Sequence, residues 1–253
     1  GEMKNANQLA TRFNVDFFLQ GDSRDPERAG FGGSILGSLF VLTVCLTVSL
    51  PVGVGAAIYL EEFAPPSRLR DVIEVNINNL AAIPSIIFGL LGLFVYIVLF
   101  GLPRSSALIG GLTLALMTLP TIIISTRVAL AAVPKSLRDG ARALGASPLQ
   151  VVLHHVLPQA TSGILTGTIL GLARAIGETA PLIMIGMVAF IASPPDSFTD
   201  PATAMPVQIY LWASSPEQGF IQKTASGILI LVTILLCLNL MATYIRSKNE
   251  HKR

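Results

Sequence analysis

The chain contains long intervals without a single charged side chain. No Asp, Glu, Lys or Arg occurs at 29–60, 75–103, 105–126 or 224–245. A bilayer core takes about 20 consecutive apolar residues of an α-helix, so each interval can hold one transmembrane helix. A fifth span is predicted from about residue 160 to 192, interrupted by Arg174 and Glu178. Because helices satisfy their own backbone hydrogen bonds in lipid, the pattern predicts an all-α integral membrane protein with five transmembrane helices in this chain.

The composition indicates a membrane protein without a sizeable soluble domain. Hydrophobic residues make up 52% of the 253 residues and charged residues 13%, against roughly a quarter charged in soluble domains. The net charge of +2 suits anionic membrane lipid better than nucleic acid, so no nucleic-acid partner is expected. Cys45 and Cys237 lie in separate spans, and His154 and His155 have no further ligand at metal spacing. The sequence therefore predicts no disulfide, no metal site and no cofactor.

The distribution of Lys and Arg predicts the orientation of the single transmembrane domain, residues 31–246. The loops on one side contain only Arg104 and Lys223. By the positive-inside rule the C-terminus is cytoplasmic, residues 247–253 form a basic tail, and the loop 193–224 is periplasmic. Five spans place the polar segment 1–30 on the extracytoplasmic side without a signal peptide, so a sixth helix is expected upstream. The basic residues on the predicted cytoplasmic side are Arg68, Arg70, Lys135, Arg138, Arg142, Arg246, Lys248, Lys252 and Arg253.

Two charged residues interrupt the fifth span. A charge at the centre of a transmembrane helix costs about 2.5 to 3.5 kcal/mol on insertion scales, and such residues usually line a pathway. Arg174 and Glu178 are four residues apart, a spacing that places them on one helix face where they can pair. Arg offers a planar charged fork that matches the oxygens of an oxyanion, so the pair is a candidate anion site. A purely structural ion pair is the alternative, and Pro181 is expected to kink the helix beyond it.

The same span carries a stripe of small residues. Gly163, Gly167 and Gly171 recur every four residues, and Ala175 continues the row. Such a stripe favours close approach by another helix, and room for a substrate at the glycines is the alternative. Arg127, at the inner end of the preceding span, is interpreted as an interfacial anchor rather than a second site residue.

The predicted cytoplasmic loop, residues 134–158, has helical signals of its own. Leu137, Ala141 and Leu144 recur at helical spacing on one face, and Gly145 is suited to end that helix. The apolar face has no obvious partner within the chain. The loop therefore predicts a docking site for a cytoplasmic protein, with a simple connector as the alternative.

Two further short helices are predicted outside the spans. Ser147 and Pro148 have the residue types of a helix start, and this helix is expected to run toward the membrane until Leu157-Pro158 bends it. In the periplasmic loop, the segment 205–212 carries aromatic side chains suited to an interface. It predicts a short helix lying on the outer membrane surface.

The cytoplasmic loop resembles the EAA loop of ATP-binding-cassette importer permeases. The family pattern is Glu-Ala-Ala, three residues, Gly, nine residues, Ile, one residue and Leu-Pro, and every spacing is matched here. Asp139, Gly140 and His155 differ from the family residues at their positions. By this resemblance, the residues that couple the chain to an ATPase are Asp139, Gly140, Ala141, Gly145, Leu157 and Pro158.

Three other segments resemble the permeases of phosphate-specific importers. They are residues 50–64, 82–89 and 173–182, and the last, with residues 206–212, is similar to the A-type subunit. The resemblance implies a substrate path that includes Arg174, Glu178 and Thr179.

The resemblance implies an importer permease bundle in the bacterial inner membrane. Its expected partners are a homologous C-type permease, a dimeric ATP-binding subunit and a periplasmic phosphate-binding protein. The sequence contains no Gly-x-x-x-x-Gly-Lys-Ser/Thr loop, so ATP hydrolysis and any catalytic residues are expected on a partner chain. A membrane scaffold or signalling component is a second interpretation, although a scaffold needs no charged pair at mid-membrane. An ion-driven carrier is a third, although it needs no ATPase-docking loop.

Overall fold

The computed structural model describes residues 15–188 and 190–250, and this part of the chain contains helices and no β-strand. The first 14 residues of the predicted segment 1–30 and the last three of the predicted tail lie outside the described residues. The helices are α1 Asp16–Leu19, α2 Gly32–Ile58, α3 Arg68–Ala82, α4 Ser85–Gly92, α5 Ala107–Ala131, α6 Lys135–Ala143, α7 Pro148–Gly177, α8 Ala180–Met184, α9 Met205–Ala213 and α10 Gly219–Glu250. Wider π-helical turns extend α2 over Tyr59–Phe63, extend α4 over Leu93–Leu99 and form part of α7 at Val152–Val156.

The predicted all-α membrane bundle is confirmed. In the described part, four helices are long and apolar enough to cross a membrane: Gly32–Phe63, Ala107–Ala131, Pro148–Gly177 and Gly219–Ile245. A fifth candidate span is the pair α3 and α4, which meet at a bend of 101°. The count of five spans therefore holds only if this bent pair is one span.

The helix predicted between residues 75 and 103 is broken in two. α3 ends at Ala82 and α4 begins at Ser85, with Ile83 and Pro84 in extended backbone between them. Pro84 has no N–H to donate, and its ring disfavours helical backbone at Ile83, so the helix must end before the proline. No residue of α3 is buried in the chain.

The fifth span begins and ends earlier than predicted. α7 occupies Pro148–Gly177, rather than residues 160 to 192. The Ser147 side chain caps its start by accepting from the Gln150 N–H, and the Gln150 side chain accepts from the Ser147 N–H. The helix continues past Pro158, the predicted position of a bend, because the wider turn at Val152–Val156 lies where a proline would otherwise disrupt the backbone ladder.

Glycines bring the central helices together. The largest apolar cluster lies mainly between α2, α5 and the segments 182–187 and 202–207. A Cβ at Gly111 of α5 would lie 2.6 Å from a backbone oxygen of α2. A Cβ at Gly163 of α7 would lie 2.7 Å from Ala129 of α5, and one at Gly167 would overlap Ser125. The small-residue stripe is therefore a packing surface for α5, and its first two glycines leave no room for a substrate.

Aromatic side chains close one end of the bundle, which we call the aromatic end. α9 is a helix, as predicted, but its Trp212 is only 3% exposed and does not lie at a lipid surface. The Trp212 Nε1–H donates to Asp22 Oδ1 at 3.0 Å, and the Trp212 ring centroid lies 5.4 Å from that of Phe31. The segment before α2 therefore covers α9, and of the aromatic side chains in 205–212 only Tyr210 is exposed.

We predict that Gly111→Ala destabilises the bundle. The added methyl group would meet the α2 backbone at 2.6 Å, and overpacking of this kind costs about 1 to 3 kcal/mol. Gly55→Ala is the control, because a Cβ there meets nothing within 4 Å and alanine favours an exposed helix by up to about 1 kcal/mol. Thermal unfolding in detergent should give a lower Tm for the first variant and an equal or higher Tm for the second. Equal losses in both would contradict this packing.

Candidate functional site

Arg174 and Glu178 form an ion pair at the end of α7. Arg174 Nε lies 3.6 Å from Glu178 Oε1, and the two side chains are 50% and 19% exposed. The predicted pairing is confirmed, but the two residues do not share a continuous helix. α7 ends at Gly177, and Glu178 has extended backbone with φ −78° and ψ 124°. The kink that the sequence placed at Pro181 is instead a break just before Thr179, and Pro181 lies in the first turn of α8.

The pair lies on an uncovered face of the chain. A Cβ at Gly177 would meet nothing within 4 Å, and Thr179 beside it is half-buried. At 3.6 Å the ion pair is longer than a hydrogen bond, and Arg174 makes no hydrogen bond to any residue in 15–188 or 190–250. The half-exposed guanidinium thus has donors that no described residue satisfies, which suits an anion held between this chain and a second surface.

A network of four charged residues lies at the end of the bundle opposite the aromatic end. We call it the charged end. Arg127 of α5 donates to Glu61 at 3.3 Å and to Glu74 of α3 at 2.9 Å. Glu74 also accepts from Arg70 at 2.8 Å. The interpretation of Arg127 as a simple interfacial anchor missed these partners. The available signal was that Glu61, Glu74 and Arg127 each border a charge-free interval, so their helix ends can meet on one side.

A second ion pair at the charged end links α6 to the end of α2. Arg138 of α6 donates to Glu62 at 2.7 Å, and the side chains are 12% and 7% exposed. Neither residue was among the predicted site residues. Glu62 follows Glu61 directly, so two consecutive carboxylates reach different helices.

The inner face of α6 packs within the chain, contrary to the expectation that it lacks a partner. Ala141 is 5% exposed and Leu137 packs against the same apolar cluster, which includes Leu130 and Val156. Leu144, expected on that face, is instead 91% exposed. Ala141 is therefore a packing residue in this conformation rather than an accessible contact.

Two of the other predicted coupling residues, Asp139 and Gly140, lie on the outer face of α6. The Asp139 side chain is 72% exposed, and a Cβ at Gly140 would meet nothing within 4 Å. Gly145 has φ +86°, a left-handed backbone that lets the chain turn from α6 into α7. Leu157 packs against the apolar cluster under α6, whereas Pro158 is exposed.

These groups can bind an anion and a protein surface, and they do not form a metal centre. Within the two described ranges, no three His, Cys, Asp or Glu side chains gather in a way that could hold a metal ion. The Arg174 face and the α6 surface lie at opposite ends of one helix, since α7 follows α6 directly and ends at Gly177.

Comparisons with known proteins agree with this arrangement. Residues 49–251 match the family described as binding-protein-dependent transport system inner membrane component. The phosphate transport system permease protein PstA of Haemophilus influenzae is 33% identical, over 95% of this chain and 83% of that protein. The phosphate transport system permease protein PstC of the same organism is also 33% identical, over 95% of this chain and 84% of that protein.

The fold is similar to that of a solved transporter. The inward-facing MetNI methionine ABC transporter matches with a TM-score of 0.63, over 86% of this chain and 94% of that one. The sequences are 20% identical, so the likeness concerns the fold.

We predict that Gly145→Ala loosens the turn between α6 and α7. A side chain at φ +86° costs about 1 kcal/mol or more, which raises the population of open turns. Trypsin should then cut faster after the exposed Arg142, as followed by mass spectrometry on the purified protein. Gly140→Ala is the control, because its helical position has open space for a methyl group. Equal cleavage rates in the two variants would contradict the role of Gly145.

Proposed function

Because the chain belongs to the family of binding-protein-dependent transport system inner membrane components, we propose that it is the A-type permease subunit of an ATP-driven importer of inorganic phosphate. It is a multi-pass inner membrane protein and a non-catalytic subunit, and the ATPase activity of such importers lies on a partner subunit. The observation that carries the assignment of the site is the half-exposed Arg174 on an uncovered face.

The substrate path in this proposal passes Arg174, Glu178 and Thr179. A guanidinium fork matches two phosphate oxygens at once and stays charged at every physiological pH. One such cation is insufficient for a divalent oxyanion in a low dielectric, so the opposite wall of the path must supply further donors. A homologous C-type permease that covers the Gly177 face would provide that wall.

The ATPase docks on the outer face of α6 in this proposal. Asp139 and Gly140 are exposed there, Gly145 sets the following turn, and Leu144 offers an apolar contact. Ala141 and Leu157 act from beneath by packing α6 on the bundle, and Pro158 lies on the helix that leaves the loop. The charged end and the C-terminus are then cytoplasmic, as the positive-inside rule predicts.

The periplasmic phosphate-binding protein docks at the aromatic end in this proposal. Residues 15–30 and the loop 193–224 meet there, and their described parts are held together by the contact between Asp22 and Trp212. Because this contact holds the two segments together, the surface can bind a protein without rearranging.

We predict that Arg174→Gln abolishes most phosphate uptake. Losing a charged partner of a desolvated anion costs about 2 kcal/mol or more, which is roughly 30-fold in rate. The measurement is ATP-dependent uptake of labelled phosphate into vesicles that contain this chain and its partner subunits at matched protein levels. Arg104→Gln removes the same charge from an exposed loop and should leave uptake unchanged. If Arg174→Gln retains uptake, the ion pair is structural and the substrate binds elsewhere.

We predict that Glu178→Gln relaxes discrimination against sulfate. In the proposed site Glu178 accepts a hydrogen bond from a protonated phosphate oxygen, and sulfate lacks that proton and is repelled. Without the negative charge, inhibition of phosphate uptake by sulfate should strengthen roughly tenfold. Asp71→Asn, at an exposed position of α3, is the matched control. Unchanged selectivity would rule out this role of Glu178.

A further inference from the structure

We propose that Arg138 and Glu62 form a rigid joint through which movement of α6 is transmitted to α2 and α5. The inference rests on the proposed function, in which α6 receives the ATPase. It assigns a positioning role to two residues that lie beneath the docking surface rather than on it.

The pair is held by several short hydrogen bonds. Arg138 Nη2 lies 2.7 Å from Glu62 Oε1, and Arg138 Nε lies 3.2 and 3.3 Å from the two Glu62 oxygens. By contrast, the pair between Arg142 and Asp139 on the same helix is 3.7 Å long and its side chains are more than half exposed. A forked and largely buried pair fixes an angle as well as a distance.

The same guanidinium also reaches the end of α5. Arg138 Nη1 donates to the Val133 carbonyl at 2.6 Å, and Nη2 donates to the Leu130 carbonyl at 2.9 Å. Carbonyls at the C-terminal end of a helix lack intrahelical partners and carry partial negative charge, so a cation there satisfies them. One side chain therefore links α6, the end of α2 and the end of α5.

The π-helical turn at the end of α2 sends its two carboxylates to different partners. Glu61 accepts from Arg127 of α5, while Glu62 accepts from Arg138 of α6. If the second contact is removed, the first still ties α2 to α5. The bundle is therefore expected to remain folded when the contact between Arg138 and Glu62 is removed. An effect on coupling can then be distinguished from an effect on stability.

The joint lies next to the residue proposed to meet the ATPase. Arg138 points into the bundle and its neighbour Asp139 is exposed, so a force applied at Asp139 acts directly on the joint. The apolar contacts of Leu137 and Ala141 alone would let α6 slide on the bundle. With the guanidinium fork in place, α6 cannot turn without moving α2 and α5.

The first test measures phosphate imported per ATP hydrolysed, using the complex of this chain with its partner subunits in proteoliposomes. Glu62→Gln and Arg138→Lys should each lower that ratio roughly tenfold, while complex assembly and basal ATP hydrolysis stay near wild type. Lysine keeps the charge but replaces the rigid five-donor fork with one compact ammonium group on a flexible stem. Arg68→Lys is the control, because Arg68 is exposed at the start of α3, outside the surface proposed to meet the ATPase.

An unchanged ratio in both joint variants would overturn the inference. A parallel fall in assembly, hydrolysis and uptake would overturn it too, since that result describes a contact needed only for folding. A wild-type complex that imports no phosphate would instead overturn the proposed function. The joint would then be tested by a distance measurement between α6 and α2, which needs no transported substrate.

The second test measures the distance between α6 and α2 with spin labels at Ser136→Cys and Tyr59→Cys. Both positions are exposed, and the labels are attached in a Cys237→Ser background. ATP binding should leave the distance between the labels on α6 and α2 unchanged to within about 2 Å in the wild type. In Glu62→Gln the distance should shift or broaden when ATP binds. A wild-type distance that changes as much as that of the variant would overturn the joint without reference to any transported substrate.

Discussion

The arrangement of charges depends on one constraint, that a charged side chain in or near a bilayer must be paired or must face water or a protein partner. At the charged end the constraint is met within the chain: Arg127 has Glu61 and Glu74, and Arg138 has Glu62. Arg174 is different, because its single contact with Glu178 is loose and half of its side chain is exposed. The proposed anion site rests on this incompletely paired arginine on an uncovered face.

Irregular backbone occurs where the helices serve something other than crossing the membrane. The wide turn at Tyr59–Phe63 directs Glu61 and Glu62 to two helices, and the one at Val152–Val156 lets α7 continue past Pro158. At Gly177 the helix stops, so that Glu178 meets Arg174 from extended backbone. Broken helices are tolerated at membrane depth where the freed backbone groups line a cavity or a partner surface. The helix break beside Arg174 is a feature of the backbone alone, and it agrees with the electrostatic argument made from the Arg174 side chain.

The sequence predicted what short-range rules determine and missed what depends on three-dimensional contacts. Charge-free intervals located α2, α5 and α10 because lipid excludes charge along any helix, whatever packs beside it. The break at Pro84 is accessible to the same short-range rules, since a proline restricts the backbone of the residue before it. The partners of Arg138 could not be found, because residues 62 and 138 are brought together only by the packing of α2 against α5. The burial of Trp212 likewise depends on the segment before α2, which folds over α9.

The helix α7 connects the loop that contains α6 directly to Arg174. α7 starts at the Ser147 cap beside α6 and reaches Arg174 after 26 residues, a distance of about 40 Å at the rise of an α-helix. Gly163 and Gly167 hold it against α5, whose C-terminal carbonyls accept from Arg138. A displacement of α6 therefore has two routes to Arg174, along α7 from the capped loop and across α5 from the joint. Because both routes act on α7, they can change the position of Arg174 relative to an opposite wall without rearranging the pair itself.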